Sequence, residues 1–427
     1  TEPQAGSSLG EITTTATPTD QGYHLIKGSK IFISGADHGI AENVVNLTLA
    51  RIDGSPEGTK GISLFAVPRL REAGGTLVAN DVTVAGLIHK IGWRGIPSLA
   101  LEFGDEGDCR GWLVGEPNQG LRYMFQMMNE ARIMIGVNAT ATASAAYHES
   151  LAYALDRKQG RKLGARDGEP VAIIEHADVR RMLLRQKAIV EGSLALLGTV
   201  SRYADVAEHG RSPQDRERAQ LLLDLLTPIA KTFPAERGFE ANVLAIQIHG
   251  GYGYTSEYRP EAYMRDQKLN TLHEGTSGIQ SMDLLGRKVM SKGGASLRVL
   301  AEEIGSTIGR AREAGIDAEL CDELEAALAA VGSITVELGK RGMSGDADGM
   351  LGHSWDYMDM FATLVVGWQW LNMATAARTA TIPADRKRAT EAATKYWIRT
   401  EVPRIPHLAN LCRTNEDSYI QARPEWF

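Results

Sequence analysis

Past the middle of the chain, one carboxylate stands just ahead of two hydroxyl residues, in Leu272-His273-Glu274-Gly275-Thr276-Ser277-Gly278-Ile279-Gln280. A carboxylate so placed can take a proton from a bound molecule. It can also simply answer the positive end of a helix that Thr276 or Ser277 would cap, and composition alone favours that plainer reading. Upstream, Gln247-Ile248-His249-Gly250-Gly251-Tyr252-Gly253 reads as a helix end entering a glycine-rich turn, where bare backbone can approach a bound group. Its spacing is not G-x-G-x-x-G, and the segment before it is too long and helical for a strand, which argues against a nicotinamide-binding unit. Two more clusters lie near the start: the polar turn Thr1-Glu2-Pro3-Gln4-Ala5-Gly6-Ser7 and the strand end Phe32-Ile33-Ser34-Gly35. An aromatic at such a strand end is usually core. The ten His residues contain no H-x-x-x-H pair and the three Cys are far apart, so no metal site is expected.

These residues need a frame. Up to about residue 115, short runs such as His24–Ile26, Ile31–Ser34, Val44–Ala50, Ile62–Val67 and Leu99–Phe103 alternate with Gly, Asp, Pro and Asn clusters. That rhythm predicts a small antiparallel sandwich or barrel. After Gly120 the apolar spacing becomes helical, over 121–158, 174–209, 213–249 and 277–291, then over 295–313, 318–340, 354–380 and 384–413. Lys292–Ala295 is the expected linker. The predicted class is α+β: a β domain over 1–117, a helical bundle over 118–291 and a C-terminal helical extension over 292–427.

Bulk properties narrow the function. A formal charge of −7 without a basic stripe or tail argues against nucleic acid. No apolar run reaches the ~18 residues of a membrane span. Three dispersed cysteines fit a reducing, cytoplasmic setting.

Each cluster is weak alone, but their order along the chain resembles the acyl-CoA dehydrogenase family over essentially its whole length. Thr1–Ser7 resembles that family's T-E-P-x-A-G-S loop, which serves flavin and acyl-CoA. Gly28-Ser29-Lys30-Ile31-Phe32-Ile33-Ser34 resembles the strand that lies against the flavin. Arg157-Lys158-Gln159-Gly160-Arg161 resembles the segment that holds the pyrophosphate and adenine side of FAD. Gln247–Gly253 resembles the turn that reaches a neighbouring subunit's flavin. Met264-Arg265-Asp266 followed by His273-Glu274-Gly275-Thr276 resembles the M-R-D…[YH]-E-G-T signature, whose Glu is the family's catalytic base. Gly367-Trp368-Gln369-Trp370 and Pro424-Glu425-Trp426-Phe427 resemble the extension of a longer subgroup that includes 3-methylthiopropionyl-CoA dehydrogenases. His273 departs from the commoner Tyr, and Gly278 from a Gln.

The resemblance implies FAD-dependent α,β-dehydrogenation of an acyl-CoA thioester to the trans-2-enoyl-CoA, with electrons passed to an electron-transferring flavoprotein. It implies Glu274 as base. Thr1, Phe32, Ile33, Ser34, Arg157, Gln159, Gln247, Gly250, Gly251 and Thr276 would bind FAD, and Ser7, Arg132, His273 and Gly275 the substrate. For Arg132 the plainer alternative is a helix-surface salt bridge. A homodimer or larger assembly is expected. The chain starts at the T-E-P loop, so the family's N-terminal helical domain is expected from an upstream segment or another chain. An oxidase on the same fold and a catalytically silent scaffold are the alternatives.

Overall fold

Closely spaced turn residues cut the first part of the chain into nine strands: β1 (Thr15–Pro18), β2 (His24–Ser34), β3 (Val45–Ile52), β4 (Ile62–Pro68), β5 (Leu70–Ala73), β6 (Thr76–Ala79), β7 (Val82–Leu87), β8 (Ser98–Phe103) and β9 (Arg110–Leu113). The computed structural model describes residues 1–164 and 167–427, in two units, Thr1–Ala131 and Arg132–Phe427. In the first unit β1 pairs with both β2 and β3, so β1-β3-β4-β9-β2 closes into a ring. Closure removes exposed strand edges. The second half of β2 carries β8 and then β7. All pairs are antiparallel except β1 with β3, a departure from the all-antiparallel expectation. Ile26, Phe65, Val67, Leu101 and Phe103 fill the core.

The two runs expected at 24–26 and 31–34 are one strand, β2, whose pairing with β8 shifts register between Lys30 and Ile33. Such a bulge bends a strand and re-aims its side chains. Phe32, in the bulge, has φ +60 and is 61% exposed. The simple expectation of a core aromatic therefore fails.

The loop before β1 is anchored by a buried ion pair. Lys30 Nζ donates to Glu2 Oε1 at 2.7 Å and to the Leu49 carbonyl at 2.8 Å. Glu2 also accepts from the Thr13 amide at 2.7 Å and the Thr14 hydroxyl at 2.5 Å. Burial alone would raise the Glu2 pKa, but the donors of Lys30, Thr13 and Thr14 together hold it far below the ordinary carboxylate value. A depressed carboxylate stabilises the fold above its unfolded pKa and loses that contribution as pH falls below about 4.3. Lys30→Met leaves Glu2 buried and unpaired, so a loss of about 3–5 kcal/mol is expected by chemical denaturation. A variant within 1 kcal/mol of the parent, a margin of roughly fivefold in the folding equilibrium, would refute this role.

In the second unit the expected long helices appear. α1 (Gly120–Asp156) begins in the first unit and runs into the second. α2 (Ala177–His209) and α3 (Pro213–His249) form a hairpin, α3 opening with Ser212 capping the Asp215 amide at 3.0 Å and Pro213 in its first turn. α4 (Pro260–Leu269) lies outside the helical stretches expected from the sequence. α5 (Ser277–Asp283) continues into a π-helical turn over Leu284–Lys288. Then follow α6 (Ser291–Glu313), α7 (Ala318–Met343), α8 (Ala347–Leu351), α9 (Ser354–Thr379), α10 (Ala384–Thr400), α11 (Ile405–Thr414) and α12 (Ser418–Gln421). The helix expected over 384–413 is broken, because Pro403 and Pro406 each remove a backbone donor. At the expected linker, Lys292, Gly293 and Gly294 take left-handed angles.

One core nonetheless runs from α2 through α11. Its centre is α9, where Met360, Phe361, Leu364, Val365, Val366, Trp368 and Trp370 are all buried. The stripe expected from Phe361, Leu364, Val365 and Trp368 is part of a helix apolar all round, the pattern of a central helix. Its indoles are satisfied: Trp368 donates to Thr307 at 2.9 Å and Trp370 to the Ala188 carbonyl at 3.1 Å.

Candidate active site

The residues singled out by sequence fall into three groups. The first lies in the β unit. The Thr1 carbonyl accepts from the Ile31 amide at 3.1 Å, and the Glu2–Ala5 turn closes through two backbone hydrogen bonds. Thr1, Phe32, Ile33 and Ser34 thus share one end of β2. Ser7 is exposed on the same loop, two residues beyond the closed turn. A bulky residue held at positive φ stores strain, and such strain concentrates at binding sites.

The second group surrounds Glu274. This residue also has positive φ, +55, and Gly275 follows at +87. Two successive left-handed residues form a sharp turn, which a Cβ at 275 would strain and crowd against Gln280 Nε2 at 2.5 Å. The turn is fixed at both ends. Before it, the His273 ring bonds the Leu269 carbonyl through Nδ1 at 2.7 Å. After it, the Thr276 hydroxyl caps the Ile279 amide at 3.3 Å, and Gln280 Nε2 donates to the Glu274 carbonyl at 3.3 Å. Among the described residues, none accepts from the Glu274 amide N–H. The His273 pKa is lowered chiefly by burial, so its ring stays neutral at neutral pH, with the proton on Nδ1 assigned from the carbonyl it faces.

Arg132 on α1 is 5% exposed, and its Nη1 lies 3.5 Å from Asp283 on α5. Its Nε has no partner. Burial opposes its charge, while Asp283 and Glu274 favour it. Arg132 is thus buried rather than on a helix surface, and the ion pair it makes is with Asp283.

Sequence reading missed three members of this group. Glu236 on α3 accepts from the Ser277 hydroxyl at 2.6 Å, tying the start of α5 to α3. Asp283 pairs with both Arg132 and Arg287. Lys231 on α3 is fully buried, and its Nζ has no hydrogen-bond partner. Desolvation lowers its pKa to about 8, with Glu236 and Glu274 opposing and Arg132 assisting. The one available signal was a lone lysine in the apolar run Thr227-Pro228-Ile229-Ala230-Lys231-Thr232-Phe233-Pro234.

The third group lies at the C-terminal end of α3, about 20 Å along the helix from Glu236 at 1.5 Å per residue. Arg157 donates to Gln159 at 3.0 Å and stands 5.9 Å from the Tyr252 ring. Arg157, Gln159, Gln247, Gly250 and Gly251 are all exposed. Gly250 has φ +61, and a Cβ at either glycine would meet nothing. Exposed donors beside bare backbone make a surface suited to an anionic group. Behind the turn, His249 stacks on Tyr153 at 4.3 Å, and Tyr258 meets both edge-on.

No described helix is long and apolar enough to cross a membrane, and no described cluster of His, Cys, Asp and Glu is arranged to hold a metal.

Three family models match the chain: "Acyl-CoA dehydrogenase, middle domain" over residues 1–105, "Acyl-CoA dehydrogenase, C-terminal domain" over 118–289, and "Acetyl-CoA dehydrogenase C-terminal like" over 300–423. A 3-methylmercaptopropionyl-CoA dehydrogenase from Ruegeria pomeroyi is 44% identical over 322 residues, 75% of this chain and 54% of that protein. A butyryl-CoA dehydrogenase from Syntrophomonas wolfei is 39% identical over 342 residues, 78% of this chain and 56% of that protein. The chain thus spans little more than half the length of these relatives. The structure of an acyl-CoA dehydrogenase complexed with FAD from Bacillus anthracis superposes with a TM-score of 0.77 at 20% identity, covering 97% of this chain and 68% of that one. At that identity the likeness shows the fold.

Proposed function

Because the chain belongs to the acyl-CoA dehydrogenase family with a C-terminal helical extension, we propose that the protein carrying it oxidises an acyl-CoA thioester to the trans-2-enoyl-CoA. The carrying observation is the strained turn at Glu274 and Gly275, both at positive φ and fixed by the Thr276 cap and by Gln280. Such strain is kept where a side chain and an amide must be presented together.

FAD fits the residues present. Phe32 and Ser34 are exposed at the bulged end of β2, where with Thr1 and Ile33 they would frame the ring, and Thr276 is the further residue assigned to FAD. Arg157, Gln159, Gln247, Gly250 and Gly251 offer donors and open backbone for the pyrophosphate and adenine side, from a neighbouring subunit in a homodimer or larger assembly. When bound, FAD accepts the β-hydrogen as hydride, and the protein aligns it and excludes water. The Glu274 carboxylate takes the α-proton. The Glu274 amide N–H would donate to the thioester carbonyl and stabilise the enolate oxygen as an oxyanion donor does. Arg132, His273 and Gly275 of the helical unit are the residues assigned to the substrate there, and Ser7 the one assigned in the β unit. Electrons leave to an electron-transferring flavoprotein, and the setting is cytoplasmic.

Anaerobic addition of short- and medium-chain acyl-CoA to the purified flavoprotein is expected to bleach its flavin absorbance. Turnover is expected to be fast with an electron-transferring flavoprotein and slow with oxygen. A protein without flavin would point to a scaffold, and fast oxygen turnover to an oxidase.

A further inference from the structure

Glu274 stands midway along a loop that is closed at its neck. The Ser277 amide donates to the Thr271 carbonyl at 3.1 Å, and both residues are buried. The bonds made by His273, Thr276 and Gln280 lie within α4, the loop and α5, so they set the shape of the turn. One stretch of α3 ties both ends of the loop to the bundle. On the entering side, Gln267 of α4, itself fully buried, donates through Nε2 to the Pro234 carbonyl at 3.1 Å and to the Ala235 carbonyl at 3.2 Å. A Cβ at Gly238 would meet that Nε2 at 2.4 Å, so the close approach needs glycine there. On the leaving side, the Ser277 hydroxyl donates to Glu236 Oε1 at 2.6 Å.

We propose that Glu236 is a positioning residue for the base. Acting through Ser277, it fixes where the Glu274 carboxylate and amide are presented to the substrate. The proposal rests on the reading of Glu274 as base. The 2.6 Å separation is that of a hydroxyl donating to a carboxylate, the stronger kind of hydrogen bond, and it joins residues 41 apart in sequence. It therefore holds the first residue of α5 to a different helix rather than closing a local turn. Consecutive residues at positive φ persist only where their surroundings over-determine them, and Glu274 and Gly275 are such a pair. Without the Glu236 bond, the Gln267 side of the loop stays fastened while Ser277, at the start of α5, loses its hydrogen bond to α3. A misplacement of about 1 Å at a reacting group costs about 10²-fold in rate, so a carboxylate acting through a neighbour can govern the rate.

The test uses the flavin-loaded full-length protein and the short- or medium-chain acyl-CoA that best reduces it. Glu236→Leu removes the acceptor, Ser277→Ala removes the donor, and Glu236→Gln keeps an acceptor of the same reach. Anaerobic flavin reduction, acyl-CoA affinity and melting temperature are measured for each and for the variant that combines Glu236→Leu with Ser277→Ala. Glu236→Leu and Ser277→Ala are each expected to slow reduction at saturating acyl-CoA by about 10–10²-fold, with affinity near the parent's. Glu236→Gln is expected to recover most of that loss. The combined variant is expected to be no slower than the slower single one, because both substitutions remove the same bond. Leu and Ala variants that reduce flavin at the parent's rate overturn the proposal, even where they melt lower, and so does a Gln variant as slow as the Leu variant. If Glu236→Leu holds no flavin, Ser277→Ala decides by the same comparison. Parent-like reduction by Glu274→Gln would instead remove the base assignment itself, so the two failures are distinguishable.

Discussion

Glu274→Gln is expected to retain flavin and bind acyl-CoA while flavin reduction slows by about 10²–10⁴-fold. The amide matches the carboxylate in size but has no basic oxygen for the α-proton. The backbone supports that separation of binding from chemistry. The turn is held by Leu269, Thr276 and Gln280 through backbone groups and neighbouring side chains, and no such contact requires the Glu274 carboxylate. Its geometry should therefore survive the substitution. Rapid mixing under anaerobic conditions, with acyl-CoA affinity measured separately, checks both halves. Bleaching at the parent rate would move the base elsewhere, and lost binding would show that the carboxylate shapes the turn.

Removing residues 295–427 is expected to abolish folding of the helical unit. The extension shares its core. Gly192 on α2 packs so close to α9 that a Cβ there would meet Val366 at 2.7 Å and Trp370 Nε1 at 2.9 Å. Phe233 on α3 meets Trp397 edge-on at 5.7 Å. Charges are shared as well. Arg237 pairs with Asp359 at 2.5 Å, Asp359 with Arg404 at 2.9 Å, and Arg185 bridges Glu240 and Glu401. Truncation would expose the apolar faces of α2 and α3 and leave Arg185 and Arg237 to share Glu240 alone, which is destabilising for partly buried charges. Trp370→Ala is the milder version, with an expected loss of about 3–5 kcal/mol. Insoluble or non-cooperatively melting truncated protein is the expected result. A soluble fragment with a sharp thermal transition would show that 118–291 stands as an independent domain.

Long helices were legible because apolar residues recur along α2, α3, α7 and α9 over many turns. Their breaks were less so. Pro403 and Pro406 mark the end of α10, yet the apolar spacing continues past them, and periodicity outweighed the proline signal. In the β unit, β3, β4 and β8 were legible from apolar runs. β1, β5, β6 and β9 have only four residues each, and Val82–Leu87 buries no residue, so alternation had little to act on. Ring closure and the parallel β1–β3 pair arise from long-range pairing that local patterns do not encode.

Within the candidate site, Glu274 stood out by its motif, while its strain is a property of φ alone. Phe32 was legible only by resemblance, since its exposure depends on the bulge. Lys231, Glu236 and Asp283 lie on α3 and α5, separate from the turn in sequence. Only the folded bundle joins Glu236 to Ser277 and Asp283 to Arg132.

The most direct test of the account isolates proton abstraction from hydride transfer. In D₂O, the flavin-loaded protein is incubated with an acyl-CoA whose β-carbon is replaced by sulfur, so that no β-hydrogen can leave. Deuterium entry at the α-carbon is followed by mass spectrometry. The parent is expected to exchange the α-hydrogens rapidly, and Glu274→Gln to exchange them about 10²–10⁴-fold more slowly. Equal exchange by the two proteins, with both binding the analogue, would contradict Glu274 as the base.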